Sequence, residues 1–299
     1  MPYGGAGIFQ CTKPGTVALT YDDGPQKRFT EHILDQFKSY DAKATFFVTG
    51  NSIKKGQIDI EYAGVIKRMD SEGHQIASHT WTHLDLSKIN TEDRKNQIIM
   101  NEMAIRNIIG KIPTYLRPPY SSCTETSGCQ RDIADLGYHI TNFNIDTDDY
   151  NQNKPEHIQI AKNNFLGNIT KTGTTAQDSQ WLSIGHDILE QTANNLTGYM
   201  LETITKLGYK AVTVGECLGD PKKNWYRAAN DAGLPAHTSN NGSNIPSDSM
   251  ENINRAVWTS TSKSNLPGNG LVFGAASSIS SSSIVIVSLV CTIALAFLV

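Results

Sequence analysis

The chain has 299 residues, of which 38% are hydrophobic and 18% are charged, and its formal net charge is −3. This length is sufficient for one large hydrophobic core or two smaller ones. The nearly neutral charge and the lack of a basic run give no support for nucleic-acid binding, so we expect no nucleic-acid partner.

Short apolar, β-branched segments alternate with helical patterns along most of the chain. The predicted strands are residues 16–22, 44–49, 74–79, 114–117, 138–146, 181–186 and 209–214. Between them the spacing of apolar residues predicts helices over 30–40, 60–70, 91–109, 128–136, 155–165 and 194–207. This alternation predicts an α/β fold with parallel pairing through crossovers, either a barrel or a doubly wound sheet.

Two adjacent acids, Asp22 and Asp23, end the first predicted strand and are followed directly by Gly24 and Pro25. Neighbouring side chains of a strand point to opposite faces, so two such acids within a strand would not share one task. As the strand ends, its twist and the turn could let one carboxylate bind a metal ion while its neighbour faces water. The alternative is a plain turn or capping motif.

The segment "HTWTH" places His79 and His83 at positions i and i+4, a spacing at which two imidazoles can hold one ion. In the protease motif H-E-x-x-H a glutamate between the histidines is the base, but Thr80 stands there in this chain. The base must therefore come from elsewhere. Two histidines and one carboxylate of the acid pair would leave coordination positions open for water and substrate, as in hydrolytic zinc sites.

Candidate chemical groups recur where the predicted strands end. They are Asp22 and Asp23, His79 and His83, Arg117, Asp146 and His186, from five different strands. In parallel barrels the carboxyl ends of the strands form the rim on which active sites are built. This convergence indicates an enzyme.

The chain has five cysteines, of which Cys291 lies in the C-terminal tail. The other four are an even number, which suits an oxidising compartment. Cys123 and Cys129 flank a short polar loop, and Cys11 and Cys217 bracket nearly the whole predicted folded region. We expect these two pairings, and the sequence leaves other pairings open.

The C-terminal part differs in composition from the rest of the chain. Residues 220–283 form a Ser/Asn/Gly-rich linker that cannot bury enough apolar surface to fold alone. The apolar tail, 284–299, is shorter than the ~20 residues of a membrane-spanning helix. Small residues, a serine spacer and a short apolar tail are typical of a GPI-attachment signal, with the transfer site within 268–277. The alternative is a tail-anchor helix.

The expected secretory route has two further consequences. The sequons at Asn168, Asn195 and Asn241 are candidate glycosylation sites. Residues 1–12 are expected to be an N-terminal extension, and they lack the basic start and apolar core of a signal peptide. A GPI signal requires a signal peptide, so we expect one to precede this chain.

Five motifs, "TYDDGP", "HTWTH", "RPPY", "DTDDY" and "IGHD", occur in that order. They resemble the motifs of the polysaccharide deacetylases, carbohydrate esterase family 4, also called the NodB-homology domain. With the predicted GPI signal and cysteine pairs, the chain resembles the fungal chitin deacetylases in particular. The resemblance implies that residues 13–219 fold as a distorted (β/α)7–8 barrel.

The resemblance also implies how the metal and the attacking water are held. Asp22 would be the general base, and Asp23, His79 and His83 would bind the metal, Zn²⁺ or else Co²⁺ or another divalent ion. Arg117 would orient the base, although buried Arg–Asp pairs also occur as plain structural bridges.

The remaining family roles concern the substrate. The Tyr120 backbone N–H would stabilise the oxyanion, and His186, held by Asp146, would protonate the departing amine; a core histidine is the alternative for His186. Tyr150 and Trp81 are candidates for stacking on sugar rings, although Trp81 could equally lie in the core. Ile184 would line the acetyl pocket.

The predicted function is metal-dependent hydrolysis of N-acetyl groups from N-acetylglucosamine units of chitin, giving chitosan and acetate. The alternatives are a peptidoglycan deacetylase or an acetylxylan esterase with the same site, or, in another class, an inactive chitin-binding cell-wall protein. The missing glutamate of "HTWTH" disfavours a metalloprotease. We expect a monomeric, extracellular protein of the cell wall or outer plasma-membrane leaflet, bound to chitin and GPI-anchored to the membrane.

Overall fold

The computed structural model describes residues 1–52 and 55–228. The predicted GPI signal, the sequon at Asn241 and Cys291 lie outside these residues. Within the described residues, no helix has both the length and the apolar character needed to span a bilayer.

Eleven strands are present in the part of the chain that the structure describes: β1 (Gly4–Ile8), β2 (Thr16–Asp22), β3 (Thr45–Val48), β4 (Gln75–Ser78), β5 (Lys111–Pro113), β6 (Tyr115–Leu116), β7 (His139–Thr141), β8 (Ile145–Asp146), β9 (Trp181–His186), β10 (Lys210–Val212) and β11 (Tyr226–Ala228). The α-helices there are α1 (Lys27–Ser39), α2 (Ile58–Glu61), α3 (Ala63–Ser71), α4 (Thr91–Ile109), α5 (Cys129–Asp135), α6 (Ile158–Ile169), α7 (Thr197–Lys206) and α8 (Val214–Cys217). Every predicted strand therefore has a counterpart.

The larger sheet has the strand order β1-β7-β6-β4-β3-β2-β9-β8, with β10 also pairing with β2, and all its pairings are parallel. Strand β2 can hold two neighbours on one side because Thr16–Ala18 pair with β10 and Thr20–Asp22 pair with β3. Parallel strands joined by helices place all their carboxyl ends at one edge, so the residues after these strands meet there.

The sheet is curled into an incomplete barrel. Strand β7 lies next to last at one end of the order and β8 is last at the other end, yet only residues 142–144 connect them. The four residue steps from Thr141 to Ile145 span at most about 14 Å. The two ends of the sheet must therefore approach each other, which agrees with the predicted distorted barrel.

The predicted strand 138–146 was wrong as one element, because the chain leaves one end of the sheet as β7 and rejoins the other end as β8. Two strands also lie outside the predicted 13–219 domain. Strand β1 pairs with β7 inside the predicted extension, and β11 pairs antiparallel with β5 inside the predicted linker. The folded part of the chain thus begins earlier and ends later than predicted.

The core forms because the central strands β2, β3 and β4 are buried on both faces and the helices that cover them are apolar on one face. All seven residues of β2 are buried. Helix α1 buries Thr30, Ile33, Leu34 and Phe37, which recur every three or four residues and therefore share one face. Burying such side chains supplies roughly 1.5–3 kcal/mol each, which fixes the sheet whose edge carries the site.

Both predicted disulfides are present, Cys11–Cys217 and Cys123–Cys129. The first joins the segment before β2 to helix α8, and Thr12 and Lys13 also donate backbone hydrogen bonds to the Cys217 carbonyl. The second closes the loop between β6 and α5. Both cross-links lie in the described fold, and the long one restricts the unfolded chain most strongly in the chain-entropy account.

Candidate active site

The carboxyl ends of the parallel strands open into a cavity of about 520 Å³. Its lining residues are Asp22, Asp23, His79, His83, Pro118, Tyr120, Ser121, Phe143, Asp146, Tyr150, Ile184, His186, Ile188 and Leu189. Candidate groups predicted from separate strand ends are therefore brought to one place.

Asp22, the last residue of β2, is buried and held by Arg117. The Arg117 guanidinium donates to Asp22 Oδ1 and to Thr20 Oγ1, each at 2.7 Å. It also donates to the carbonyls of Thr141 and Asn142, and lies 4.2 Å from the Phe47 ring centroid. A planar group fixed at so many points holds the Asp22 carboxylate in one orientation.

The other oxygen of Asp22 faces the histidines. Asp22 Oδ2 lies 3.7 Å from His79 Nε2, beyond hydrogen-bond distance. Asp23 instead turns away from the strand, because its backbone is in the left-handed region (φ 74°). The neighbouring carboxylates consequently differ in environment, one paired with a guanidinium and one directed at the imidazoles.

Asp23, His79 and His83 form the only cluster of three metal-ligating side chains found in residues 1–52 and 55–228. Asp23 Oδ1 is 3.5 Å from His79 Nε2 and 3.2 Å from His83 Nε2. Ligands bound tetrahedrally about 2.1 Å from a zinc ion lie about 3.4 Å apart. The spacing of these donor atoms therefore fits one divalent cation.

The hydrogen bonds around the cluster leave its donor atoms free for such an ion. His79 Nδ1 lies 2.7 Å from the Arg117 carbonyl, which requires the proton on Nδ1 and leaves the Nε2 lone pair facing Asp23. Asp23 Oδ1 is buried and has no hydrogen-bond partner among the described residues. A buried carboxylate oxygen is rarely left without a partner, so this orphan atom also favours a cation site.

The charge states agree with that assignment. Burial, assisted by the nearby His79, lowers the pKa of His83 to about 4, so its imidazole is neutral near pH 7. Burial acts to raise the pKa of Asp23, but the neighbouring imidazoles, that of His79 foremost, hold it well below its ordinary value. The cluster thus presents a carboxylate and a neutral ring, the ligand forms that metals bind.

His186, at the end of β9, is held by Asp149. His186 Nδ1 lies 2.8 Å from Asp149 Oδ1, and the His186 backbone N–H donates to Asp149 Oδ2 at 2.7 Å. Thr192 Oγ1 donates to the same Oδ2 at 2.6 Å. Both oxygens of the buried Asp149 are therefore satisfied, and the His186 Nδ1–H is directed at it.

The predicted partner of His186, Asp146, was wrong. Asp146 lines the cavity, but its oxygens accept from the Tyr150 hydroxyl at 3.2 Å and the Asp148 backbone N–H at 2.8 Å. The left-handed Asp148 (φ 59°) turns the chain between Asp146 and Asp149, so that Asp149, the third acid of "DTDDY", points back under β9. Asp146 and Asp149 belong to one motif, and only the conformation of the turn determines which of them contacts His186.

The electrostatics of His186 suit a proton donor. Burial acts to lower the pKa of His186, but the Asp149 carboxylate and the more distant Asp22 and Asp23 outweigh burial and raise it to about 9. The imidazole is therefore protonated near neutral pH. A positively charged imidazole in a cavity beside a candidate base is arranged for acid–base work.

The predicted substrate contacts divide into two groups. Tyr120, whose side chain is 71% exposed, lines the cavity next to the His83 ring, and Tyr150 and Ile184 line it as well. Trp81 does not line it. Its ring is buried against Gly50, where an added Cβ would come within 1.9 Å of the ring, so the prediction of Trp81 as a sugar contact was wrong.

Sequence reasoning missed a lysine beneath the cluster. Lys55 Nζ donates to the carbonyls of Asp23 and Gly24 and to Thr49 Oγ1, at 2.9, 2.5 and 2.8 Å. Burial lowers the pKa of Lys55 to about 7, against the opposing effect of Asp187. Lys55 lies in a loop with no motif, so no local signal in the sequence identifies it.

Comparisons with known proteins agree with the fold and the motifs. The sequence profile described as "Polysaccharide deacetylase" matches residues 9–141. A chitin deacetylase of Colletotrichum lindemuthianum is 44% identical over 227 residues, covering 75% of this chain and 88% of that protein. An Arthroderma benhamiae protein named "Probable peptidoglycan-N-acetylglucosamine deacetylase" is 38% identical over 228 residues, 76% of this chain and 49% of that protein. The solved structure of the Colletotrichum lindemuthianum enzyme superposes with a TM-score of 0.71 at 43% identity, over 76% of this chain and 97% of that chain.

Proposed function

Because the chain belongs to the polysaccharide deacetylase family, we propose that it hydrolyses the N-acetyl groups of N-acetylglucosamine units in chitin, giving chitosan and acetate. The observation that carries the proposal is the convergence, in one cavity, of a candidate cation site, a carboxylate and a protonated imidazole. The chemistry is amide hydrolysis, in which water adds to the acetyl carbonyl, the C–N bond breaks and the amine leaves with a proton.

Asp22 is the proposed general base. Its orientation by Arg117 and its position beside the His79–Asp23 cluster support this role, since a base must lie close to the water that it deprotonates. Asp23, His79 and His83 would hold the cation, Zn²⁺ or another divalent ion. When bound, such a cation lowers the pKa of a coordinated water and polarises a carbonyl oxygen.

The leaving group needs an acid, because an amide nitrogen departs poorly without a proton. His186 is the proposed acid, and its raised pKa, about 9, supports the role by keeping it protonated near neutral pH. Asp149 holds the ring so that Nε2 remains available to donate. The Tyr120 backbone N–H is the proposed oxyanion donor, a group of the kind that stabilises developing charge.

The groups that line the cavity help to choose among the alternative functions, which are acetylxylan hydrolysis, chitin binding without catalysis and peptidoglycan deacetylation. An acetylxylan esterase would release an alkoxide, which leaves more readily than an unprotonated amide nitrogen, so the protonated His186 held by Asp149 favours an amide substrate. An inactive chitin-binding protein would not need a base, an acid and an orphan carboxylate in one cavity. Peptidoglycan deacetylation remains the second candidate, supported by the similarity to the Arthroderma benhamiae protein.

We also propose that the protein is a secreted, GPI-anchored, monomeric glycoprotein. The two disulfides support an oxidising compartment. Asn195 is exposed and Asn168 partly so, which suits glycan attachment. The test is the mass of the mature protein before and after glycosidase and phospholipase treatment; a mass set by the polypeptide alone would contradict both modifications.

Substrate and metal dependence are tested together. The purified protein is incubated with chitin oligomers, acetylated xylan and peptidoglycan fragments, with and without a chelator, and acetate and product masses are measured. The proposal predicts chelator-sensitive acetate release from the chitin oligomers, with one acetyl mass lost per turnover. Release from only the xylan or only the peptidoglycan would transfer the function to that substrate.

A further inference from the structure

Asp187 directly follows His186 in the chain, but its side chain is buried and does not line the active-site cavity. Strands β2 and β9 pair in parallel, with Asp22 opposite His186 at the last residue of each strand. The residues just past the two strand ends therefore lie side by side. Asp187 consequently meets the turn that begins at Asp23.

The carboxylate of Asp187 packs closely against Gly24. A Cβ built on Gly24 would lie 2.0 and 2.1 Å from the two carboxylate oxygens of Asp187 and 2.3 Å from its Cγ. Because the backbone at Gly24 lies outside the left-handed region, the obstacle to alanine there is this carboxylate and not the backbone conformation. A glycine at position 24 thus lets the turn close onto Asp187.

The same carboxylate is hydrogen-bonded to the first turns of helix α1. Thr30 Oγ1 donates to Asp187 Oδ2 at 2.6 Å, and the Gln26 backbone N–H donates to Thr30 Oγ1 at 2.8 Å. The connection between β2 and α1, residues 23–26, is therefore held at Gly24 by direct contact and at Gln26 through the Thr30 hydroxyl. The whole connection folds around one carboxylate.

The burial of Asp187 is unfavourable in itself. Its Oδ1 atom has no hydrogen-bond partner among the described residues, and an unsatisfied buried oxygen destabilises a fold. Burial also raises the pKa of Asp187 to about 6, although the Thr30 hydrogen bond and the Lys55 ammonium act to lower it. A leucine, which is similar in size, would avoid both penalties. The acid is therefore better explained by the segment that its carboxylate holds.

That segment carries the candidate cation ligand Asp23, and Asp187 itself continues the chain from the candidate acid His186. Lys55 holds the carbonyls of the turn, whereas Asp187 holds the opposite, Cα side of its glycine. We propose that Asp187 is a positioning residue that fixes the distance between the cation cluster and His186. This placement matters because a displacement of reacting groups by about 1 Å can lower a rate about 10²-fold. The inference rests on the proposed function.

The proposal is tested by calorimetric titration with Zn²⁺ and by kcat and KM on chitin oligomers at saturating Zn²⁺. Asp187→Ala should weaken Zn²⁺ binding about tenfold and lower kcat about 10- to 100-fold, with little change in KM. Asp187→Asn keeps the shape and an acceptor for Thr30, so both quantities should stay within about threefold of wild type. A merely structural role would instead lower the melting temperature of Asp187→Ala and leave its Zn²⁺ affinity and kcat unchanged.

The control is Asp132→Asn. Asp132 is also a buried acid, but it pairs with Arg94 and does not line the active-site cavity. This substitution should lower the melting temperature while Zn²⁺ affinity and kcat stay as in wild type. The comparison separates the loss of a buried carboxylate from the loss of this particular contact.

The contact with Gly24 is tested by suppression. Gly24→Ala places a methyl group against the Asp187 carboxylate, so it should lose more Zn²⁺ affinity and kcat than Asp187→Ala does. The double variant Gly24→Ala/Asp187→Ala removes the obstacle and should return to the level of Asp187→Ala. It should fold and bind Zn²⁺ even where Gly24→Ala alone does not.

Three results would each overturn the proposal: wild-type Zn²⁺ affinity and kcat in Asp187→Ala, equal losses in Asp187→Asn and Asp187→Ala, or no recovery in the double variant. A wild-type protein that binds Zn²⁺ but releases no acetate from chitin oligomers would contradict the proposed function instead. The Zn²⁺ titrations would then still decide whether Asp187 positions the turn, because they need no substrate.

Discussion

The two sides of the active-site cavity differ in how completely the protein satisfies their polar groups. On one side Asp23 Oδ1 has no hydrogen-bond partner among the described residues, and the nearest imidazole nitrogens are 3.2 and 3.5 Å away. On the other side both oxygens of Asp149 accept hydrogen bonds from His186 and Thr192, all between 2.6 and 2.8 Å. The described protein atoms therefore leave a polar atom of the first side unsatisfied, whereas they satisfy both carboxylate oxygens of the second side.

This difference indicates that the geometry of the first side depends on a bound cation, whereas that of the second side does not. The Asp23–His79–His83 cluster keeps its lone pairs directed at a common point, at the cost of an unsatisfied buried oxygen and two left-handed residues, Asp23 and His83. An added cation would relieve the first of these costs. The His186–Asp149 pair needs no ligand to hold its geometry, so it should persist when the cation is removed.

The largest effect is expected for His79→Ala. Loss of one imidazole ligand should abolish stoichiometric metal binding and lower kcat/KM by roughly 10⁴-fold or more, beyond the ~10²–10⁴ of a single acid or base. Metal content by elemental analysis and acetate release measure both effects. The matched control is His139→Gln, since His139 is buried to a similar degree but does not line the active-site cavity. Full metal content in His79→Ala would contradict the ligand set.

His186→Ala should affect turnover alone. We expect kcat to fall by about 10²–10⁴, the contribution of a general acid, because the amine then departs without a positioned proton donor. Metal content and the melting temperature of the cation-loaded protein should change little, since the lost side chain is not part of the cluster. A rise in KM with unchanged kcat would instead make His186 a substrate-binding residue.

Asp149→Asn should shift the alkaline limb of the pH–rate profile. The proton-donating form of His186 persists up to its pKa, about 9, and activity falls as pH rises through that value. Removing the adjacent charge should move this limb down by about one to two pH units. The comparison is made at equal metal content, because a bound cation would counter the contribution of Asp22 and Asp23.

The control for this shift is Asp146→Asn, because Asp146 belongs to the same motif and lines the cavity but does not contact His186. Its alkaline limb should stay where the wild-type limb lies. An equal displacement in both variants would mean that the limb reports the general charge of the cavity and not the His186–Asp149 pair.

A smaller effect is expected for Lys55→Met. Its ammonium holds the carbonyls of Asp23 and Gly24, and thereby the turn that directs Asp23 at the imidazoles. Outer partners of metal ligands typically contribute about 10- to 100-fold in affinity, and we expect the lower end here because the contact is to the backbone. Calorimetric titration with Zn²⁺ measures the change, with the exposed Lys38→Met as control. Unchanged affinity would show that the turn holds without Lys55.

The residues at the strand ends could be predicted from the sequence because each strand is encoded by its own apolar run, and the residue that follows the run lies at the end of the strand. The run TVALTYD forms β2 as expected, so Asp22 necessarily lies at the edge where His79, Arg117 and His186 also emerge. Because the strands are parallel, their carboxyl ends lie together whatever the conformation of the loops. The two disulfides were predictable for a similar reason, since each pairs cysteines at the ends of a recognisable segment.

The remaining features depend on turns and distant pairings that the sequence does not display. The choice between Asp146 and Asp149 is made by the left-handed turn at Asp148. Trp81 is buried because Gly50, thirty-one residues away in sequence, leaves room for its ring. Strand β1, GGAGI, has no alternating pattern, and only its pairing with β7 reveals it.

The adjacent acids Asp22 and Asp23 are expected to have different tasks, which can be separated by measuring metal content and turnover for Asp22→Asn and Asp23→Asn in parallel. We expect Asp22→Asn to keep one equivalent of metal while kcat falls by about 10²–10⁴. We expect Asp23→Asn to lose the metal. Loss of metal to the same extent in both variants, or wild-type turnover by Asp22→Asn, would contradict the division.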